Sequence, residues 1–193
     1  IRSVYPDVPI VMGGVYATLY PRHASELIDV DEIVSGPGEK LVSGLVEKYT
    51  GIQPAPACDP CDMNTIAYPA LDLQNKISYV PLLTSKGCPF SCDYCASSLL
   101  QPEITRRAPR GVYEEIFFWH QSFGVKDFAF YDDALLLDAK DHADVLFSLI
   151  RDSGMDLRLH TPNALHVRNI SPDTAMLMRQ AGMRTVRLGL ETA

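Results

Sequence analysis

The sequence is organised around residues 79–95, which read YVPLLTSKGCPFSCDYC. An apolar run is followed at once by Cys88, Cys92 and Cys95, spaced C-x3-C-x2-C. Thiolates are soft ligands that suit zinc and iron–sulfur clusters. Three on one short loop can hold three corners of a [4Fe–4S] cube, which leaves one iron open because no fourth cysteine lies nearby. The pattern therefore favours an open-cornered cluster. A zinc site, which needs a fourth Cys or His, and unliganded cysteines remain alternatives.

Composition limits the classes of protein to consider. The chain has 193 residues, 47% of them apolar and 21% charged, with a net charge of −7. The acidic balance argues against a general nucleic-acid binder, which would carry a basic face. No apolar run approaches the roughly 20 residues that a membrane span needs. Metal-binding thiolates point to a reducing compartment, so we expect a water-soluble, cytoplasmic protein.

The first 50 residues are predicted to be the closing part of an α/β domain. Short buried strands are expected at 9–12 and 31–36, and a helix at about 38–49 with one apolar stripe. Residues 51–78 contain several prolines and are predicted to be a linker. Cys58 and Cys61 lie in this linker as a C-x2-C pair, and we expect them to take no part in the cluster.

From residue 79 to 193 the pattern alternates between strand and helix. Strands are predicted at 79–83, 127–131, 157–161 and 185–190. A helix with one apolar stripe is predicted to begin at Pro109 and to end at Gly124. Asp138 is expected to cap the next helix, and Ser171, before Pro172, the last one. Repeated βα units imply a parallel sheet with right-handed crossovers, and chemistry in such folds gathers at the carboxyl ends of the strands. Polar residues follow the predicted strands, namely the three cysteines, Asp132 and Asp133, the stretch from His160 through Asn163 to His166, and Glu191. Arg106 and Arg107 are interpreted as a solvated basic patch.

The cysteine spacing resembles that of the radical S-adenosylmethionine (SAM) superfamily. An aromatic residue, Tyr94, precedes the last cysteine as in that family. The sequence of residues 84–90, TSKGCPF, resembles that of its cobalamin-binding branch. The resemblance implies that Cys88, Cys92 and Cys95 bind a [4Fe–4S] cluster whose fourth iron holds the methionine part of SAM. It also implies that the backbone of Tyr94 lies against the adenine.

Further SAM contacts are implied by position. Asp132 and Asp133, after the second strand, would accept the methionine ammonium in a charge-assisted contact. Glu191, after the fourth strand, would accept hydrogen bonds from the ribose hydroxyls. Asn163 is chosen as the third-strand residue that faces the cofactor.

The resemblance extends to the first domain. Gly13 and Gly14, with the later stretch 33–39, resemble the closing half of a Rossmann-like cobalamin-binding domain, where the glycines lie against the nucleotide tail. Cobalamin is therefore an implied cofactor, although the family's Asp-x-His-x-x-Gly is absent from the sequence. The expected fold is α/β: residues 1–50 as the end of this domain, 51–78 as linker, and 79–193 as the first four units of a (βα)6 radical SAM barrel.

The implied function is reductive cleavage of SAM to a 5′-deoxyadenosyl radical, coupled to methyl transfer on a small molecule. Cyclisation or rearrangement by a radical SAM enzyme is the first alternative, and a tRNA methylthiotransferase is another. An iron–sulfur electron-transfer module is the alternative from a different class. The implied partners are a small-molecule substrate and an electron donor such as flavodoxin or ferredoxin, with no membrane and no nucleic acid.

Overall fold

The computed structural model describes residues 1–38, 41–54, 59 and 62–189. Its first part contains a two-stranded parallel sheet flanked by short helices. In chain order the elements are β1 (Val11–Met12), α1 (Val15–Leu19), α2 (Pro21–Leu27), β2 (Glu32–Ile33) and α3 (Val42–Thr50). The two strands and the helix predicted from the sequence are present, and each is shorter than its apolar pattern.

The second part is built on a four-stranded parallel sheet in the order β3-β6-β7-β8. Its elements are β3 (Val80–Leu82), β4 (Ser85–Lys86), α4 (Ser97–Leu100), β5 (Thr105–Arg106), α5 (Pro109–Phe123), β6 (Asp127–Phe130), α6 (Ala143–Asp152), β7 (Arg158–His160), α7 (Pro172–Gln180) and β8 (Met183–Thr185). Single 3-10 turns cover Leu71–Leu73, Ala139–Asp141 and Val167–Asn169. The parallel order confirms the predicted βα architecture.

Helix α5 shows how the apolar pattern builds this layer. It begins at Pro109, where a missing backbone N–H costs nothing, and it ends before Gly124, whose φ of 66° is left-handed. Val112, Ile116 and Trp119 are fully or almost fully buried against the sheet. Burying each such side chain stabilises the fold by roughly 1.5–3 kcal/mol. The core thus lies between the sheet and helices α5, α6 and α7.

Two predicted details of this layer are wrong. Strand β8 covers Met183–Thr185 instead of 185–190, because Gly182 already accepts a hydrogen bond from Leu159 N and the pairing with β7 becomes irregular. As far as residue 189, where the description of the chain ends, an isolated bridge between Leu165 and Leu188 continues it. Asp138, expected to cap the next helix, instead precedes a 3-10 turn with a φ of 48° and makes no capping hydrogen bond.

Within the described residues, no helix has both the length and the apolarity required to cross a membrane.

Candidate active site

The three cysteines lie on a loop whose two ends are held together by backbone pairing. Strands β4 and β5 form an antiparallel pair directly before and after residues 87–104. Inside the loop, Cys95 N donates to Cys92 O at 2.9 Å and forms a tight turn. Cys88 and Cys92 are partly buried, whereas Cys95 is exposed. The loop therefore presents its thiols from a fixed base at the carboxyl end of β3.

Gly87 makes the closed base of this loop possible. Its φ is 87°, in the left-handed region that favours glycine. A Cβ atom at this position would lie 2.6 Å from the backbone oxygen of Glu103. No other residue can bring the two sides of the loop this close, so the glycine fixes the direction in which the chain enters Cys88.

Asp132 and Asp133, predicted to act together, are separated by the structure. Asp132 is buried, and its carboxylate accepts hydrogen bonds from the backbone N–H and the hydroxyl of both Thr84 and Ser85. Burial raises the pKa of Asp132, and these hydrogen bonds oppose the shift. The expectation that both carboxylates face the methionine ammonium is corrected: only Asp133 lies on the wall of the cavity beside the cysteines.

That cavity has a volume of about 390 Å³. It brings together most of the predicted site residues. Its walls are formed by Cys88, Phe90, Cys92, Tyr94, Cys95, Ser97, Asp133, Pro162, Asn163, Ala164 and His166. The cysteine loop supplies one side, and the segments after β6 and β7 supply the other. Three thiols, one carboxylate and one carboxamide thus surround a single space at the carboxyl edge of the sheet.

Asn163 holds the end of β6 as well as lining the cavity. Its side-chain nitrogen donates to Tyr131 O at 2.8 Å and to Asp132 O at 3.4 Å. This leaves the side-chain oxygen as the part of Asn163 with a chemistry suited to a donor on a ligand. Tyr94 lines the same cavity and has an exposed fraction of 69%.

The surroundings of Cys88 disfavour its charged thiolate form. Burial raises the pKa of Cys88, and the nearby Asp133, Cys95 and Cys92 add to the rise. Among the described residues, no three His, Cys, Asp or Glu side chains converge as ligands of one metal ion. A [4Fe–4S] cube does not require the thiolates to converge on one point, because each thiolate binds a separate iron. Three soft donors around one open cavity therefore fit a cube better than a single zinc ion.

Phe90 anchors the middle of the cysteine loop, which the sequence did not reveal. Its ring centroid lies 4.7 Å from that of His166, and the Arg168 guanidinium lies over the ring at 4.0 Å. Such cation–π contacts stabilise by about 0.5–1 kcal/mol at exposed sites. The contact depends on a segment more than seventy positions away, and no local pattern marks it. It holds the loop against the segment that follows β7.

Arg107 is not part of a solvated patch, contrary to the sequence interpretation. Its side chain is 12% exposed and forms an ion pair with Glu115, which is 3% exposed. Its backbone N–H donates to Thr84 O at 2.9 Å, beside the loop base. Arg106 remains nearer the surface and pairs with Asp138 at 3.0 Å.

A second cavity of about 410 Å³ lies on the sheet face opposite the helices. Asp127 and His160 line this cavity, 3.2 Å apart, and Asp127 also forms an ion pair with Arg158, which lies opposite it on β7. The hydrogen bond from Arg158 lowers the pKa of Asp127 to about 2. Pro162 lines both cavities, so the two spaces adjoin. In the sequence, the signal for the cluster of Asp127, Arg158 and His160 was the pair of opposite charges near the start of two neighbouring strands.

Gly13 and Gly14 follow β1, and Gly14 has a φ of 91°. Helix α1 begins directly after them and contacts α4, which follows the cysteines. The glycine end of the first sheet is thereby linked to the cysteine loop. Glu191, Cys58 and Cys61 lie outside the described residues.

Comparison with known proteins gives methyltransferases and cyclases as relatives, although no family profile matches the chain. An uncharacterized methyltransferase of Pyrococcus horikoshii is 28% identical over 221 aligned positions, which cover 100% of this chain and 47% of that protein. An anaerobic magnesium-protoporphyrin IX monomethyl ester cyclase of Rubrivivax gelatinosus is 27% identical over 228 aligned positions, which cover 100% of this chain and 40% of that protein. The chain thus spans less than half the length of these relatives.

A solved structure with a similar fold is the radical SAM methyltransferase TsrM of Kitasatospora setae. With tryptophan and a SAM analogue bound, it matches at a TM-score of 0.70 and 19% identity, over 94% of this chain and 41% of TsrM. With cobalamin and a [4Fe–4S] cluster bound, the TM-score is 0.67. The comparisons therefore agree with the resemblance that the cysteine motif carries: this chain has the fold of TsrM and is similar in sequence to a methyltransferase and a cyclase.

Proposed function

We propose that the protein uses a [4Fe–4S] cluster to cleave SAM reductively and directs this chemistry to cobalamin-linked methyl transfer on a small molecule. The observation that carries the proposal is the cavity that Cys88, Cys92, Cys95, Asp133 and Asn163 share. A cluster held there would supply the one electron needed to cleave the sulfonium S–C5′ bond of SAM into methionine and a 5′-deoxyadenosyl radical.

The residues of the cavity have distinct parts in this proposal. The three thiolates of Cys88, Cys92 and Cys95 would hold the cluster at the edge of the cavity. Asp133 accepts a hydrogen bond from the methionine ammonium, and its negative charge beside the thiols favours a cationic group there. Asn163 presents its carboxamide oxygen, and the backbone of Tyr94 lies against the adenine. Glu191 accepts hydrogen bonds from the ribose.

Cobalamin is proposed as the methyl carrier, with Gly13 and Gly14 against its nucleotide tail. The contact between α1 and α4 supports this, because it keeps the glycine end of the first sheet near the cysteine loop. We further propose that residues 1–50 form the closing part of the cobalamin domain, with a linker to residue 78 and the barrel from residue 79. The end of α3 at Thr50 and the start of β3 at Val80 support these boundaries.

Cyclisation is the second candidate reaction, and the similarity to magnesium-protoporphyrin IX monomethyl ester cyclases favours it. The second cavity, which adjoins the first at Pro162, is the proposed place for the small-molecule substrate. The proposal includes an electron donor of the flavodoxin or ferredoxin type. A reducing cytoplasm is the proposed location, since it preserves the thiolates.

Product analysis of the anaerobically reconstituted full-length protein tests the proposal. With dithionite and SAM, we expect 5′-deoxyadenosine and methionine in equal amounts. SAM with a deuterated methyl group, added with cobalamin, should transfer label to cobalamin and then to substrate. Formation of 5′-deoxyadenosine without labelled cobalamin would favour the cyclase-type reaction. Absence of both products from a protein that holds its cluster would overturn the proposal.

The SAM contacts are tested separately by binding. A hydrogen bond to a charged group contributes about 1.5–3 kcal/mol, so Asp133→Asn and Glu191→Ala should each raise the SAM dissociation constant about ten- to hundredfold. Asp138→Asn is the matched control, because Asp138 pairs with Arg106 outside the cavity. An unchanged constant in either variant removes that residue from the proposed site.

A further inference from the structure

We propose that Asp132 is a positioning residue that fixes the cysteine loop relative to the cavity carboxylate, and that it does not touch SAM. Its carboxylate, together with the donors of Thr84 and Ser85, is called here the Asp132 latch. The inference deepens the proposed function, because it concerns the loop that would hold the cluster. The latch itself is a property of the polypeptide and can be measured without a cluster.

The carboxylate of Asp132 accepts hydrogen bonds from four donors, most of them through Oδ1. Oδ1 accepts from Thr84 Oγ1 at 2.6 Å, Ser85 N at 2.6 Å and Ser85 Oγ at 2.7 Å. Thr84 N lies 3.1 Å from Oδ1 and 3.2 Å from Oδ2. An ionised carboxylate only accepts hydrogen bonds, so four donors match its chemistry. At 2% exposure, Asp132 is closed off from a ligand in the neighbouring cavity.

The latch acts where the chain leaves the sheet for the cysteine loop. The last regular contact between β3 and β6 is the hydrogen bond from Tyr131 N to Leu82 O. Beyond it, Thr84 is held on one side by Asp132 and on the other by Arg107, whose N–H donates to Thr84 O at 2.9 Å. Ser85 then begins the β4–β5 pair, three positions before Cys88. The start of the loop is thus fixed to the end of β6.

The same latch also sets the position of the cavity carboxylate. Asp133 follows Asp132 directly and lines the cavity beside Cys88. Asn163 holds this segment from the other side through its bonds to Tyr131 O and Asp132 O. The two adjacent aspartates therefore have different roles. One holds the thiol loop in place, and the other faces the space where the loop and the segment after β6 meet.

Hydrogen exchange of the cluster-free full-length protein tests the latch directly. Asp132→Ala removes the acceptor of all four donors, whereas Asp132→Asn keeps one side-chain oxygen and loses the charge. Because one charge-assisted hydrogen bond changes an equilibrium about ten- to hundredfold, we expect amides 84–95 to exchange about a hundredfold faster in Asp132→Ala. In Asp132→Asn the same amides should exchange about tenfold faster than in the unaltered protein. Asp144→Ala is the matched control, since Asp144 accepts from Thr174 Oγ1 elsewhere in the fold.

Cluster spectroscopy then separates positioning from SAM binding. In reconstituted Asp132→Ala, iron should be lost to a chelator about tenfold faster, and the electron paramagnetic resonance signal of the reduced cluster should change before SAM is added. The SAM dissociation constant per remaining cluster should stay within about twofold of that of the unaltered protein. Asp133→Asn should behave in the opposite way, with a retained cluster and weakened SAM binding.

Unchanged exchange at residues 84–95 in Asp132→Ala would overturn the latch. So would a retained cluster with lost SAM affinity, which would make Asp132 a SAM ligand. If Asp132→Ala unfolds throughout, Thr84→Val decides, because it removes one hydroxyl donor and should still accelerate exchange in the loop alone. If the unaltered protein holds no cluster but Asp132→Ala accelerates loop exchange, the proposed function fails and the latch stands.

Discussion

Replacing Gly87 by alanine tests how the cysteine loop is closed. The substitution places a side chain in left-handed backbone, which costs about 1–2 kcal/mol. It also brings the new Cβ to 2.6 Å from Glu103 O. Relieving contact with a backbone oxygen costs a further amount of about 1–3 kcal/mol. We therefore expect Gly87→Ala to destabilise the protein by about 2–5 kcal/mol.

Two other glycines separate these contributions. Gly124 has a φ of 66° and open space around its Cα, so Gly124→Ala should cost only the backbone strain of about 1–2 kcal/mol. Gly111 lies inside α5 with open space and no positive φ, so Gly111→Ala should stabilise by about 0.5–1 kcal/mol.

Urea unfolding of the three variants measures the series. Trp119 is the only tryptophan and is 2% exposed, so its fluorescence reports loss of the core. The expected order of stability is Gly111→Ala, the unaltered chain, Gly124→Ala and then Gly87→Ala. If Gly87→Ala and Gly124→Ala agree within about 0.5 kcal/mol, the close approach to Glu103 does not hold the loop and the reasoning is refuted.

Three further predictions follow from individual groups. Glu115→Gln should lower the free energy of unfolding in urea by about 3–5 kcal/mol, because it leaves the largely buried Arg107 charge without its carboxylate partner. A decrease below about 1 kcal/mol would contradict this. Asp127, with a folded pKa of about 2 against an ordinary 3.8, stabilises the fold above pH 4, and its exposed ion pair should lose up to about 1 kcal/mol as the pH falls towards 2. Asp127→Asn should weaken this dependence of stability on pH. An unchanged dependence would show that other groups cause it. Replacing Cys58 and Cys61 together by serine should leave the iron content unchanged, whereas loss of a whole cluster's iron would show a shared site.

The regular elements of the barrel were predictable because their signals are local. The apolar stripe of α5, the stop at Gly124 and the Ser171 cap each arise from neighbouring residues. Ser171 Oγ accepts from Thr174 N at 3.0 Å, as its position before Pro172 predicts. The cysteine spacing is equally local, and it identified the loop that the structure brings to the edge of the sheet.

Features that depend on distant partners were not predictable. Arg107 looked solvated because Glu115, which buries it, acts only once α5 has packed. Asp132 and Asp133 are the same residue type in adjacent positions, yet the direction of the strand turns one inward to Thr84 and the other to the cavity. The contact of Phe90 with the segment after β7 is likewise set by tertiary packing.

The proposed function depends on a cluster held by Cys88, Cys92 and Cys95, with one iron open to SAM. Its most direct test is electron paramagnetic resonance of the anaerobically reconstituted, dithionite-reduced protein before and after addition of SAM, with iron and sulfide determined on the same sample. We expect about four irons and four sulfides per chain, a reduced-cluster signal that shifts when SAM binds, and loss of both in Cys92→Ala. A full cluster in Cys92→Ala, or a signal that SAM leaves unchanged in the unaltered protein, would contradict it.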